Sequence, residues 1–189
     1  MKSTLLTPAH EEHMLSDIRL YNKLLSNLDL TNVTVLEFGA GDGVLTEIIL
    51  DQNPKKIIAY EFSEILADKL KMRLDSPLLD LRVADFTKED FSYLEEGQYV
   101  VISNPPYSTI QFLQEKVIQP YRINDVIMMT SSTKKQKYFS DYEVAFSLEE
   151  KDFSPPARGN HFVMQKGFNA LMKTPAALPL IPENHHYMR

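Results

Sequence analysis

Residues 37–43 read EFGAGDG and have the composition of a ligand-binding turn. Glycine alternates with other residues in this segment, at Gly39, Gly41 and Gly43. Glycine lets the backbone turn tightly and leaves no Cβ to keep a ligand away. The dinucleotide-binding pattern needs glycine at its sixth position, which is Val44 here. The spacing, with Glu37 two residues before the first glycine, therefore favours a cofactor with a cationic centre and an amino-acid end over a phosphate-bound one.

Two more acidic residues each follow an apolar run. Glu61 lies about 20 residues after the first glycine, the distance at which an acid accepts hydrogen bonds from both ribose hydroxyls. Asp85 can accept a hydrogen bond from the exocyclic amine of adenine, and Phe62 or Phe86 can pack on the adenine face. Either acid alone is as well explained as a solvated residue at a strand end. Three such features at the ends of three consecutive strands predict a nucleoside-type cofactor, because open α/β sheets bind ligands at that edge.

Residues 104–107 read NPPY and could hold a planar amine. The two prolines remove two backbone N–H donors and fix φ, so that the carbonyl of Pro105 points in a defined direction. The side-chain oxygen of Asn104 and this carbonyl form a pair of acceptors for an amine that must present its lone pair. Tyr107 offers a face on which a base can stack. The alternative is a rigid turn, since Asn-Pro is also ordinary turn chemistry.

The elements that must position these residues alternate between strand and helix. The predicted strands are residues 33–38, 56–60, 79–83, 99–102 and 125–129. The predicted helices are one that starts at the capping residue Ser16, then 44–50, a helix capped by Ser63 that ends near Arg73, and 110–117. This alternation predicts βαβ crossovers and a mainly parallel sheet with helices on both faces.

The pattern changes after residue 130. Residues 142–148 and 161–165 are two further predicted strands without a helix between them, which predicts an antiparallel pair at one edge of the sheet. The predicted fold is thus an α/β, Rossmann-like, seven-stranded sheet. We expect residues 1–30 to form an N-terminal segment and helix, with 1–15 irregular, and 31–168 to form the main domain. Residues 169–189 are expected to form an extended tail, because they are rich in proline.

Composition excludes several classes of protein. The 189 residues carry a net charge of −6 and no cysteine, which excludes disulfides, thiolate metal sites and a cysteine nucleophile. The five histidines are scattered, so no metal site is expected. The chain has neither the apolar run of a signal peptide nor one long enough to span a bilayer, so we expect a cytoplasmic, monomeric, single-domain protein. The acidic balance argues against a broad nucleic-acid footprint.

Taken together, these motifs resemble the class I S-adenosylmethionine-dependent methyltransferases that act on amino groups. Within that class the chain is similar to the ribosomal RNA adenine N6-dimethyltransferases, including their erythromycin-resistance branch. Residues 12–17 resemble the family's N-terminal segment, which implies that His13 and Leu15 line the methionine end of the cofactor. Residues 152–156 resemble its late Phe-x-Pro-x-Pro segment, which implies that Phe153 packs near the target base. The likeness covers about residues 10–168.

The resemblance implies S-adenosylmethionine as cofactor and in-line transfer of its methyl group to adenine N6 in RNA, without a metal. The residues expected to bind the cofactor are His13, Leu15, Glu37, Gly39, Gly41, Gly43, Glu61, Phe62, Asp85, Phe86 and Asn104. Catalysis is expected from Asn104, Pro105 and Tyr107, and substrate binding from Pro106, Tyr107, Phe153 and Arg158, with Lys134, Lys135 and Lys137 as further candidates for phosphate contacts.

Two departures from the family keep alternatives open. The family has a helical C-terminal domain for RNA, whereas only 24 residues follow the last predicted strand, and the chain is acidic where family members are basic. The alternative substrates are a protein glutamine or a small-molecule amine. The remaining alternative is a protein that binds S-adenosylmethionine without catalysis.

Overall fold

The computed structural model describes residues 14–15, 19–26, 28–149, 152–154 and 159–168. The strands are β1 (Met14–Leu15), β2 (Thr34–Phe38), β3 (Lys56–Glu61), β4 (Leu79–Val83), β5 (Tyr99–Ser103), β6 (Val126–Ser131), β7 (Glu143–Leu148), β8 (Phe153–Ser154) and β9 (His161–Lys166). The helices are α1 (Arg19–Leu25), α2 (Val44–Leu50), α3 (Glu64–Arg73), α4 (Ile110–Phe112, continued as a π-helix over Leu113–Ile118) and α5 (Ser132–Tyr138). Short 3₁₀ turns cover Phe86–Lys88 and Tyr107–Thr109.

Seven strands form one sheet in the order β4-β3-β2-β5-β6-β9-β7. The five strands β2, β3, β4, β5 and β6 are parallel to one another. Strand β9 runs antiparallel to both β6 and β7. The predicted Rossmann-like sheet with an antiparallel edge pair is therefore confirmed. The strand order reverses between β2 and β5, and open α/β sheets bind ligands beyond the carboxyl ends of the strands at such a switch point.

Buried side chains cover both faces of the sheet. One core cluster includes Leu25 of α1, Ile49 of α2 and Phe153 of β8. The other is rich in aromatic residues, and the rings of Phe38 and Tyr60 stack in it with centroids 5.5 Å apart. Because helices pack on both faces, the central strands are buried on both sides and are apolar along almost their whole length.

One prediction about local structure needs correction. Residues 1–15 were expected to be irregular, but Met14 and Leu15 form β1, which pairs antiparallel with β8 in a separate two-stranded sheet. Because the hydrogen-bonding partner of β1 is distant in sequence, no local sequence pattern predicts this strand. The helical segment at 110–117 is confirmed, although from Leu113 its turns widen to π-helical geometry. Helix α1 begins at Arg19; its predicted cap, Ser16, lies outside the described residues, as does the predicted tail at 169–189.

Candidate active site

The glycine turn joins β2 to α2 at the switch point of the sheet. All three of its glycines have positive φ: +79° at Gly39, +60° at Gly41 and +88° at Gly43. The N–H of Gly39 donates to the carbonyl of Tyr60 over 2.9 Å, and the N–H of Gly41 donates to Oε2 of Glu61 over 2.8 Å. The turn is thus tied to the carboxyl end of β3, in a backbone conformation that only glycine adopts without strain.

Glu61 is held in one orientation by the backbone around it. Its Oε1 accepts a hydrogen bond from the N–H of Ser63 over 2.7 Å, while Oε2 accepts the bond from Gly41. The residue is only 7% exposed. A carboxylate oxygen can accept more than one hydrogen bond. The Glu61 carboxylate can therefore also accept hydrogen bonds from a ligand at the shared edge of β2 and β3.

Glu37 is fully buried beneath the glycine turn. Its Oε2 accepts a hydrogen bond from Oγ1 of Thr46 over 2.8 Å, and burial, with a smaller contribution from Glu61, raises the pKa of Glu37 to about 8. Among the described residues, Oε1 of Glu37, the buried hydroxyl of Tyr21 and Oδ1 of Asp42 have no hydrogen-bond partner. Buried polar atoms normally have one. These three atoms therefore fit a ligand that brings a polar end, such as an amino-acid group, to the turn.

The third acid, Asp85, follows β4 and caps a 3₁₀ turn. Its Oδ1 accepts hydrogen bonds from the N–H of Thr87 over 3.1 Å and from the Thr87 hydroxyl over 2.6 Å, while Lys88 lies 2.9 Å from Oδ2. Hydrogen bonds from Lys88 and Thr87 lower the pKa of Asp85, so it is an ionised acceptor. Beside these acids, the ring of Phe62 is 60% exposed, whereas Phe86 is 6% exposed. Of the two phenylalanines, only Phe62 presents an open face.

The NPPY segment lies directly against the glycine turn. A Cβ built on Gly39 would come within 3.3 Å of Cδ of Pro106 and 3.5 Å of the carbonyl oxygen of Asn104. The buried hydroxyl of Ser103 joins the two strand ends, because it donates to the carbonyl of Phe38 over 2.7 Å and accepts from the Phe38 N–H. Glycine at position 39 is therefore what allows the two motifs to approach each other.

Tyr107 contacts His161, a residue distant along the chain. Its hydroxyl lies 2.7 Å from Nδ1 of His161, and the two ring centroids are 5.4 Å apart. Burial raises the pKa of Tyr107, so the hydroxyl is neutral. Phe153 packs on the same imidazole, with centroids 4.6 Å apart, and is only 3% exposed. Phe153 and His161 are thus buried, and Tyr107 is the one ring of these three that is partly exposed.

The structure brings most of the predicted site residues to one edge of the sheet. The glycine turn, Glu61, Asp85 and residues 104–107 all lie at or just after the carboxyl ends of parallel strands. Leu15 is described only as part of β1, and His13 and Arg158 lie outside the described residues. Sequence reasoning missed His161, because it treated this residue as one of several scattered histidines. No pattern in the sequence relates it to Tyr107, which is distant along the chain.

Three lysines extend from the same edge. Helix α5 starts where β6 ends, next to the end of β5, and carries Lys134, Lys135 and Lys137. Nζ of Lys135 lies 4.1 Å from the ring centroid of Phe162, and Nζ of Lys137 lies 4.8 Å from that of Tyr138. These contacts place the two ammonium groups against aromatic rings.

The described residues lack two further features. No cluster of three or more histidine or acidic side chains among these residues is placed to hold a metal ion. None of their helices has the length and apolar character needed to cross a membrane.

Comparison with known proteins identifies relatives of the chain. A family model described as ribosomal RNA adenine dimethylase matches residues 7–145. The ribosomal RNA small subunit methyltransferase A of Mycoplasmopsis pulmonis is 28% identical over 60% of this chain and 44% of its own length. The protein of the same name from Mycoplasmopsis synoviae is 23% identical over 83% of this chain and 68% of its own length, and that of Thermotoga petrophila is 39% identical over 56% and 40%. The chain thus spans about half the length of the curated relatives it matches.

Solved structures show the same fold at low identity. The crystal structure of the 23S rRNA methyltransferase ErmE superposes with a TM-score of 0.69 and 19% identity, covering 86% of this chain and 72% of the other. A dimethyladenosine transferase from Plasmodium falciparum superposes with a TM-score of 0.66 and 19% identity, covering 82% and 62%. These similarities support the Rossmann-like fold described above.

Proposed function

Because the chain belongs to the ribosomal RNA adenine dimethylase family, we propose that it is an S-adenosylmethionine-dependent methyltransferase acting on adenine N6 in ribosomal RNA. The observation that carries this proposal is the contact between the two motifs. A cofactor-type glycine turn and an amine-accepting NPPY segment meet at Gly39, where a single added Cβ would lie within 3.5 Å of both Pro106 and Asn104. A methyl donor and an amine bound at these motifs are held next to each other.

The cofactor site follows from the fixed acids. Glu61, already oriented by two backbone N–H groups, accepts the ribose hydroxyls, and Asp85 accepts the adenine amine. Phe62 is the ring placed to cover the adenine, while Phe86 supports the site from the core. The unpaired oxygen of Glu37 receives the polar methionine end at the glycine turn, where we also expect His13 and Leu15. When bound, S-adenosylmethionine supplies an electrophilic methyl group on a sulfonium centre.

The acceptor site orients the amine. Asn104 and the carbonyl of Pro105 accept the two hydrogens of the planar amine, which turns its nitrogen lone pair towards the methyl group. Pro106 fixes the backbone between them and Tyr107, which stacks on the base. Holding the reactants in line and stabilising the charge that develops on the amine are sufficient to accelerate such a transfer.

The RNA must present an unpaired base. An adenine inside a duplex cannot reach a pocket between the strand ends, so the target is unstacked or flipped out. Lys134, Lys135 and Lys137 lie on the acceptor side and are our candidates for phosphate contacts, with Arg158 as a further one. With a net charge of −6 the chain has no basic surplus, so we expect weak binding with a shallow dependence on salt. With ribosomal RNA as the substrate, we expect the protein to act in the cytoplasm and as a monomer.

The test is to follow radioactive methyl groups from S-adenosylmethionine into separate pools of ribosomal RNA, DNA, protein and small molecules. Nucleoside analysis of labelled RNA should then give N6-methylated adenosine. The variant Asn104→Ala is the control, because it removes an amine acceptor. Since Asn104 is also expected to contact the cofactor, the variant should lower labelling at saturating cofactor far more than it weakens cofactor binding in calorimetry. Label in protein or small amines alone would refute the RNA substrate. Cofactor binding without label in any pool would refute the proposed methyltransferase activity.

A further inference from the structure

His161 is the residue that connects the acceptor segment to the antiparallel edge of the sheet. It is the first residue of β9, is 3% exposed, and pairs across the sheet with Ser131 at the end of β6. This pairing places its backbone at the same edge as the NPPY segment. Its Nδ1 lies 2.7 Å from the hydroxyl of Tyr107. A rigid strand therefore holds the imidazole against the far end of the tyrosine ring.

The hydrogen bond restricts the movement that stacking would otherwise allow. Tyr107 begins a short 3₁₀ turn after two prolines, so its backbone is fixed and its freedom lies in the two side-chain torsions. Anchoring the hydroxyl fixes the second end of the ring and with it the plane of the ring. A base can stack only on a ring whose plane is correctly oriented, and hydrogen bonds that hold such groups are part of preorganisation.

Phe153 helps to hold the imidazole of His161 in place. Its ring packs on the imidazole of His161 with centroids 4.6 Å apart and an angle of 55° between the planes. Because Phe153 is 3% exposed, it offers no open face to a second ring. Its position suits support of His161 better than the direct base contact expected from the sequence.

We infer that His161 is a positioning residue that holds Tyr107 in the plane needed to stack on the target adenine, with Phe153 supporting the imidazole. This inference rests on the proposed function. It adds a residue to the acceptor site that contacts neither the cofactor nor the reacting atoms. It also replaces the predicted direct contact of Phe153 with the target base by an indirect role, in which Phe153 supports His161.

Four variants test the inference by kinetics on ribosomal RNA. His161→Asn keeps an amide at the place of Nδ1, whereas His161→Gln moves the amide to the place of Nε2 and His161→Phe removes it. We expect His161→Phe and His161→Gln to lower kcat/KM for RNA about tenfold, the effect of one lost hydrogen bond, and His161→Asn to restore most of it. In a Tyr107→Phe background, exchanging His161 should have little further effect, because the bond is already absent.

The controls separate this inference from the proposed function. Affinity for S-adenosylmethionine, measured by calorimetry, and the melting temperature should be nearly unchanged in His161→Asn. Nitrogen NMR of the ¹⁵N-histidine-labelled protein gives a readout that needs no RNA: the Nδ1 resonance of His161 should shift in Tyr107→Phe. A wild-type protein that methylates no RNA would refute the proposed function alone. Equal kinetics of all three His161 variants, additive losses with Tyr107→Phe, or an unmoved Nδ1 resonance would overturn the positioning role.

Discussion

Replacing Gly41 by alanine tests whether the space beside the glycine turn is the cofactor site. Gly41 has φ +60°, and a Cβ built on it meets no atom of the described residues within 4 Å. Gly97 provides a matched control, since it has φ +68° and equally open surroundings. It lies just before β5, at the amino-terminal ends of the parallel strands and away from the candidate site. The two substitutions therefore impose the same backbone strain at two different places.

The strain sets the expected loss of stability. A non-glycine residue in the left-handed region costs about 1–2 kcal/mol, and neither new methyl group clashes with the protein. For a chain of this size that corresponds to a fall in melting temperature of roughly 2–8 °C in both variants. The N–H of Gly41 still donates to Glu61 in the variant, so the turn keeps its connection to β3. Any additional effect of Gly41→Ala must come from a ligand.

The assay is calorimetric titration with S-adenosylmethionine and with its demethylated product, beside thermal unfolding without ligand. We expect Gly41→Ala to weaken binding of both by at least about tenfold, or about 1.4 kcal/mol, and Gly97→Ala to leave it unchanged. Equal affinity in the two variants would refute the placement of the cofactor at the turn. A much larger loss of stability in Gly41→Ala than in Gly97→Ala would refute the reasoning about strain.

Three further predictions concern the same edge of the sheet. Glu37, with a folded-state pKa of about 8 against an ordinary 4.5, keeps a proton that the unfolded chain has lost, so stability should fall as pH rises between these values. Glu37→Gln should remove that fall in a series of denaturation curves across this window. Asn104→Ala should lower kcat on RNA, measured at saturating cofactor, roughly 10²- to 10³-fold, because one preorganised acceptor is lost. Gly43→Ala should be less stable than Gly41→Ala by about 1–3 kcal/mol in urea unfolding, since its Cβ would lie 2.8 Å from Cγ of Leu70.

Local sequence was sufficient for the elements whose pattern lies within a few residues. The bounds of α2 and β4 agree with those predicted, because apolar periodicity and turn residues act within one window of the chain. The side chain of Ser63 caps α3 as expected. The order of the motifs along alternating strands and helices also predicted that they would share one edge, since parallel strands place their carboxyl ends together.

Contacts between distant segments were decided by the tertiary structure alone. The pairing of β1 with β8, the burial of Phe86 in the aromatic core and the bond between Tyr107 and His161 each join parts of the chain that no local window contains. Sequence can indicate that a phenylalanine stands beside an acid, but packing on both faces of the sheet decides whether its ring is open or buried. The sequence motifs thus determined which chemical groups lie at the candidate site, and the packing of distant side chains determined which of its rings and hydroxyls are open and which are buried.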